Sequence, residues 1–528
     1  MHDSRFTTDS RKRYPIILEL LPDLEKYLVE NMLLSVFLDQ HPQWCGPYPF
    51  LADLARIEES RYRLLTSPPD MPEIVHKRTV NPALELIPVK WLNLPEYIAH
   101  RSIVPKPGKN HILVMLKPGK NHVEIMGAGP AELLALKLVF EDIGTRRAAS
   151  EGNISPGSID NVLYRAQQQG LILVPPSLIC RPRDFPTGEI TESEFFVSPS
   201  FTLQWHITQA CDLNCRHCYD RSHRKEMTLE QAQGVLDDLY DFCQLHHVFG
   251  QVSFSGGNPM LYNHFDRLYR EAADRGFMTA VLGNPMPRGR IEKMLSIQQP
   301  EFYQVSLEGL KEHNDYIRGP GHFDRTIEFL GILGELGIYR MVMLTLTRDN
   351  MDQVIELGNR LRGFAELFTF NRLANVGRGT ELAGVPPENF PRFLDTYMHA
   401  TENNSCMGLK DNLFNLLRWQ RGLPPTGGCA GHGCGAAFNF VALLQDGEVH
   451  ACRKLPSLIG NIYHDSLNNI YHSHTARRYR NGSKTCTDCP VRPVCGACLA
   501  VVFGSNQSGI NISDKPDPYC FRHTIEKS

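Results

Sequence analysis

Between residues 199 and 375, short apolar runs rich in β-branched residues alternate with stretches whose apolar positions recur at helical spacing. The runs 201–208, 249–255, 278–283, 303–307, 340–347 and 367–370 predict strands, and 228–245, 265–276, 289–297, 323–336 and 351–361 predict the helices between them. Thr228, with Gln231 three positions on, marks the first helix start as a capping box. Strands joined by helices run parallel. The expected fold class is therefore α/β, a partial (β/α)6 TIM-like barrel whose ligands sit at the carboxyl ends of its strands.

Upstream the pattern changes. Residues 1–84 read as a polar helical extension, with helical apolar spacing in 17–21, 28–38 and 51–65 broken by Pro22, Pro42 and Pro47. Then 111–117 and 121–126 read as strands joined by the turn Lys117-Pro-Gly-Lys120, 130–141 and 155–170 as helices, and 171–174 as a closing strand. That order predicts a winged-helix-like module over 85–178. A DNA-reading version would want several cations on its second helix, which offers Arg165 and few others, so a peptide-binding version is favoured. Pro175, Pro176, Pro182, Pro186 and Pro199 predict a linker at 179–198, leading into a core over 199–380. A helical bridge at 381–428 and a cysteine-rich domain at 429–528 complete the chain.

Composition narrows the function. At 528 residues, two to four domains are expected. A net charge of -3 supplies no basic field for nucleic acid. No apolar run approaches the length of a membrane span, and Asp3, Asp9, Glu19, Asp23 and Glu25 exclude a secretory signal, so a cytoplasmic location is expected. In a reducing compartment, 15 cysteines, most in tight groups, speak for metal binding. Cys45, Cys180, Cys243 and Cys406 stand apart and read as ordinary thiols.

Cys211, Cys215 and Cys218 follow the first predicted strand, with His217 before the last of them. Three thiolates can leave one metal position open, where four would close it. The spacing alone also allows free or zinc-bound cysteines. Ser255, Gly256, Gly257, Asn258 and Pro259 end the second strand, Ser306 and Glu308 the fourth, Asn350 follows the fifth, and Gly377 and Arg378 follow the sixth. Farther on come Cys429, Cys434, Cys452, Cys486, Cys489, Cys495, Cys498 and Cys520, enough for two four-iron clusters or for two zinc sites.

The loop Cys-x3-Cys-x2-Cys resembles the cluster loop of radical S-adenosylmethionine (SAM) enzymes, and the C-terminal field resembles a SPASM domain. The resemblance implies three [4Fe-4S] clusters, one of them with an open iron that holds SAM and yields a 5'-deoxyadenosyl radical. It puts SAM contacts at His217, Ser255, Gly256, Gly257, Asn258, Pro259, Ser306, Glu308, Asn350, Gly377 and Arg378. Asn258 departs from the family's Gly-Gly-Glu-Pro segment, and Glu308 replaces the Asp of a Ser-x-Asp-Gly segment. One auxiliary cluster would take Cys429, Cys434, Cys452 and Cys498, and the other Cys486, Cys489, Cys495 and Cys520. Two residues separate Cys495 from Cys498 where three are usual.

In this reading the N-terminal module resembles the leader-peptide recognition element of ribosomal-peptide maturases, binding its leader by β-augmentation. The expected function is maturation of a ribosomally made precursor peptide through an oxidative crosslink such as a thioether, with electrons from a reductase such as flavodoxin or ferredoxin. Asp446 and Glu448 are candidate bases and Arg453 a candidate substrate clamp. Related SPASM enzymes also join two carbons, epimerise, or oxidise a sulfatase residue to formylglycine, and the residues do not choose among these. A zinc-containing winged-helix binding protein is the alternative of another class.

Overall fold

A computed structural model describes residues 10–27, 32–119, 122–505 and 512–522. Two compact units divide after Pro176.

In the first unit, β1 (Thr79–Val80), β2 (Leu84–Leu92), β3 (Lys106–Leu116), β4 (Val123–Gly127) and β5 (Ile172–Leu173) accompany several helices. A three-stranded antiparallel sheet runs β2-β3-β4, and β5 pairs with β1. The expected hairpin is present, although Lys120 and Asn121 of its turn lie outside the described residues. Three features differ from the two-helix winged layout. β2 is an additional strand, Thr145–Gly152 is an additional helix, and the closing strand pairs outside the hairpin. The helices before residue 84 also share a core with this sheet, since Ile17, Leu54 and Ile57 are buried with Ile87 and Val114. The apolar face of Leu51–Thr66 would otherwise be exposed, so the 1–84 extension is part of this unit.

The second unit carries the expected barrel strands: β6 (Ser200–Thr208), β7 (Phe249–Gly256), β8 (Met278–Leu282), β9 (Phe302–Ser306), β10 (Arg340–Leu346) and β11 (Leu367–Arg372). They lie parallel in sequence order, with helices such as Leu229–His246 and His322–Glu335 between them. β12 (Phe440–Leu443) joins β6 in parallel, followed by β13 (Glu448–His450) and β14 (Leu458–Asn461) in antiparallel, making a nine-stranded sheet. The C-terminal cysteine region is thereby continuous with the barrel sheet.

Strand alternation sorts its faces. Leu203, Trp205, Val252 and Phe254 are buried in the apolar core, whereas Thr202, Gln204, Gln251 and Ser253 line an interior cavity. Residues 179–198, expected as a linker, pack onto this unit. Ile179 and Ser198 are fully buried, and Arg181 donates to the carbonyls of Arg480, His432 and Cys434. The prolines keep the segment extended, while its apolar side chains and Arg181 anchor it. No helix among the described residues is long and apolar enough to cross a membrane.

Candidate active site

β6 ends at Thr208, and residues 209–228 form an irregular loop carrying Cys211, Cys215 and Cys218. All three line a cavity of about 660 Å3 at the strand ends, together with His217, Ser255, Gly256, Gly257 and Ser306. The loop is stitched to β7. The amides of Gly257 and Asn258 donate to the carbonyls of Thr208 and Ala210 at 2.8 and 2.7 Å. Gly256 adopts φ 127°, and a Cβ there would collide with the Thr208 carbonyl.

Side chains from later strand ends reach the same thiols. Asn284 Nδ2 lies 3.6 Å from Cys211 Sγ, and Arg318 Nη1 lies 3.8 Å from Cys215 Sγ. Arg318 ends a short helix, Lys311–Arg318, that sequence reasoning missed. Its charged composition carries too little apolar periodicity, and only proximity to Glu308 reveals its role.

Glu308 is buried and fully engaged. Its carboxylate accepts from Arg318 Nε at 3.0 Å and from the Thr345 amide at 2.8 Å, and it lies 3.0 Å from His217 Nε2. Burial alone would raise its pKa, but His217, Arg318 and the Thr345 amide overcome that and hold it well below the ordinary carboxylate range. Asn350 is likewise internal, accepting from the Thr347 amide and donating to the carbonyls of Glu308 and Thr345. Neither lines the cavity. Both brace the ends of β9 and β10, in place of the direct SAM contact expected of them.

Asn258 also turns inward. Its amide nitrogen donates to Asp212 at 3.2 Å, and its Oδ1 is buried without a partner. Gly377 and Arg378 brace the cysteine loop. Gly377, at φ 56°, packs where a Cβ would strike the Tyr219 carbonyl; the Arg378 amide donates to the Cys218 carbonyl, and its Nη1 donates to Asn214. Pro259 is buried at the start of a 3-10 turn. Asp446 and Glu448 both pair with Arg224, Glu448 at 2.9 Å, and neither lines the cavity. A carboxylate held by a guanidinium is a poor proton acceptor. Arg453 does face the cavity, donating to Ser255 Oγ at 3.2 Å and lying over the Tyr219 ring. Tyr219 OH lies 3.1 Å from His206 Nε2, and burial with Arg453 nearby pushes the His206 pKa down to about 3, so this imidazole is neutral.

A second cavity of about 420 Å3 is lined by Cys429, Cys434, Cys452 and Cys498. Arg453, Lys454, Gln304, Met343 and Asn371 belong to the walls of both cavities. The remaining field cysteines, Cys486, Cys489, Cys495 and Cys520, lie close enough to influence one another electrostatically. The short Cys495–Cys498 spacing is accommodated by left-handed backbone at Gly496 and Ala497, φ 65° and 64°. This turn sends the two thiols to different groups. Asn412 fixes it, donating to the Cys495 carbonyl at 2.8 Å and accepting from the Cys429 amide at 2.7 Å. Asp517 accepts from the Cys498 amide and from Arg372, which also pairs with Asp411.

Burial pushes the Cys434 and Cys498 thiols up to about 11 and 12. Iron ligation would hold them as thiolates. Among the described residues, no three Cys, His, Asp or Glu side chains converge to hold a single ion. A four-iron cluster takes one cysteine per iron, and the three thiols of the first cavity and the four of the second are donor sets of that kind.

Residues 205–361 match the radical SAM superfamily, and residues 434–490 match the SPASM iron-sulfur cluster-binding domain. The chain is a radical SAM enzyme with a C-terminal SPASM region. It is 29% identical over 336 residues to the mycofactocin maturase MftC of Mycolicibacterium smegmatis, covering 60% of this chain and 82% of that one. It is 25% identical over 349 residues to the AdoMet-dependent heme synthase of Methanosarcina barkeri, covering 60% and 95%. Streptococcus suis SuiB bound to its precursor peptide SuiA shares the fold at TM-score 0.50 and 16% identity, covering 81% and 96%.

Proposed function

We propose that this chain is a peptide maturase that oxidatively modifies a ribosomally made precursor, forming a thioether or a similar crosslink. The observation that carries this reading is the shared wall between the three-cysteine cavity and the cavity of Cys429, Cys434, Cys452 and Cys498. A substrate there would meet the radical source on one side and an electron acceptor on the other. When bound, SAM and the first cluster supply a 5'-deoxyadenosyl radical, and the two SPASM clusters accept the electron released as the new bond closes.

The chain's own residues position and shield. Arg318 and Ser306 offer a cation and a hydroxyl for the methionyl carboxylate and ribose, and the backbone at Gly256 and Gly257 allows close approach. Neutral His206, bonded to Tyr219, is a polar group of the cavity wall that can hold a substrate by hydrogen bonding. In the first unit, the antiparallel sheet has the edge strand that β-augmentation by a leader requires. We further place the protein in the cytoplasm, with a flavodoxin or ferredoxin as reductant.

The similarity to an AdoMet-dependent heme synthase supports a second reading, in which the substrate is a tetrapyrrole. Incubating the reconstituted protein and SAM under reduction with a synthetic candidate precursor peptide tests the first. A mass change in that peptide coupled to 5'-deoxyadenosine supports it; SAM cleavage with the peptide unchanged, but an iron porphyrin altered, moves the assignment to the second.

A further inference from the structure

The cations of the two cavities fall into two classes. Arg318 is paired with Glu308, Arg372 with Asp411 and Asp517, and Arg224 with Asp446 and Glu448. Lys410, Arg453 and Lys454 have no carboxylate within ion-pair distance among the described residues; nor does Arg221, which is exposed on the cysteine loop and lines the first cavity alone. Lys410 donates to Asn371 at 2.9 Å and Arg453 to Ser255 at 3.2 Å, both neutral partners. The carboxylates elsewhere in these walls lie apart or are engaged. Asp220 and Glu226 belong to the cysteine loop, where Asp220 accepts from Ser222, and Asp411 pairs with Arg372.

These unmatched cations concentrate where the cavities meet. Arg453 and Lys454 belong to both walls, and Lys410 lines the second beside Asn371. Around them the inner strand faces contribute uncharged groups, Gln204, Gln251, Ser253 and Gln304. Half-buried cations without a carboxylate partner, among amide and hydroxyl groups and beside the thiols of the second cavity, form a receptor for an anion with hydrogen-bonding capacity. The proposed function assigns the methionyl carboxylate to Arg318, whose Nη1 faces Cys215 while its Nε and Nη2 hold Glu308. A second anion therefore remains to be accounted for.

We propose that Lys410, Arg453 and Lys454 form a carboxylate-binding site between the two cysteine groups, and that the substrate carries a carboxylate next to its reacting carbon. This rests on the proposed function, which places the substrate between the two cysteine groups, and it holds for either substrate reading. A peptide would present an acidic side chain or its terminal carboxylate; a tetrapyrrole would present a propionate. Arg453 can engage both carboxylate oxygens with its planar fork, while the lysines act as point charges.

The test uses full-length, cluster-loaded protein with SAM bound. The probe is 3-phenylpropionate labelled with 13C at the carboxylate, with the equally labelled carboxamide as neutral control. Paramagnetic broadening of the label by the reduced clusters reports occupancy without turnover. The expected result is saturable broadening of the acid, at least about tenfold weaker with the amide, and weakening of the acid by about tenfold in Lys410→Met and in Arg453→Met. Equal broadening by acid and amide, or acid binding unchanged in both variants, overturns the proposal. Variants that shift the cluster potentials while leaving acid binding intact also overturn it, since the cations would then balance the thiolates alone.

The wild-type comparison of acid with amide needs no variant, so misfolding of one cannot rescue the idea. Displacing the bound acid with mesoporphyrin, against its dimethyl ester, and with the candidate precursor peptide, against its amidated form, separates the two carboxylate sources. Displacement by neither free acid sinks the substrate part of the proposal. Failure of that peptide to be modified tests the maturase reading separately, since it leaves the phenylpropionate result untouched.

Discussion

The two cysteine regions use the same side chain in opposite ways. Cys211, Cys215 and Cys218 sit in a loop without regular structure, Cys211 is exposed, and the supports come from barrel strand ends through Gly257, Asn284, Arg318 and Arg378. In the C-terminal field, Cys489 and Cys495 are buried while Cys429 is exposed and the other five are half-buried, and polar side chains clamp the backbone beside the thiols: Asn412 at Cys429 and Cys495, Arg181 at Cys434, Ser457 at Cys452 and Asp517 at Cys498. A site that must admit a ligand keeps its thiols at a cavity mouth and takes its rigidity from neighbours. A site that must only exchange electrons can bury its thiols and become part of the fold.

Replacing Cys211, Cys215 and Cys218 together by alanine gives the largest expected effect on chemistry. 5'-Deoxyadenosine formation should fall to background, and iron should fall by about four per chain, the content of one four-iron cluster. Thermal unfolding should barely move. The comparison breaks if this loop variant unfolds early, because the loop would then be structural as well.

The converse experiment removes a clamp from the field. Arg372 is buried between Asp411 and Asp517, so Arg372→Met leaves two carboxylates without their cation. Breaking such a buried pair costs roughly 3–5 kcal/mol. The urea midpoint of anaerobic, cluster-loaded protein should fall accordingly, together with retention of the SPASM iron. An unchanged midpoint would show that the clusters alone hold this region.

Glu308 links the loop to the barrel and has a definite pH signature. Its folded pKa lies below the ordinary value of 4.5, so its ionic contribution is present above that value and is lost only as pH falls through the depressed one. Glu308→Gln should destabilise the protein by a nearly constant amount from neutral pH down to about 5, with the gap closing only in stronger acid. A gap that already closes above pH 5 would mean that ionised Glu308 does not govern the contact. The same variant should weaken SAM binding in equilibrium dialysis, because Arg318 loses its anchor.

The barrel strands were legible because each is an apolar run between clear turns, and the cysteines because their spacing is a local property. The roles of Glu308, Asn350, Gly377 and Arg378 were not, since a polar residue at a strand end looks alike whether it faces a ligand or a neighbouring strand. Asn412 and Arg181, distant in sequence from the cysteines they hold, give no local signal. The extra strand β2 and the helix Thr145–Gly152 were missed for a related reason: Pro88 interrupts the first, and the second is short and polar. The 179–198 strap reads as a linker because its prolines are visible and its packing is not.

The smallest expected effect falls on the residues that proximity to Cys452 in sequence first suggested as bases. Asp446 and Glu448 form the hairpin end of β12 and β13 and share Arg224, with side chains about a third exposed. Partly exposed pairs of this kind contribute about 0–1 kcal/mol. Asp446→Asn and Glu448→Gln should therefore change product formation less than about threefold and leave its pH profile in place. His206→Phe, by contrast, removes a neutral imidazole from the cavity wall and should lower product formation while sparing SAM binding in dialysis. If Glu448→Gln instead abolished crosslinking with 5'-deoxyadenosine still formed, the hairpin would be part of the chemistry, and the division between an open loop and a closed field would have to be redrawn to include it.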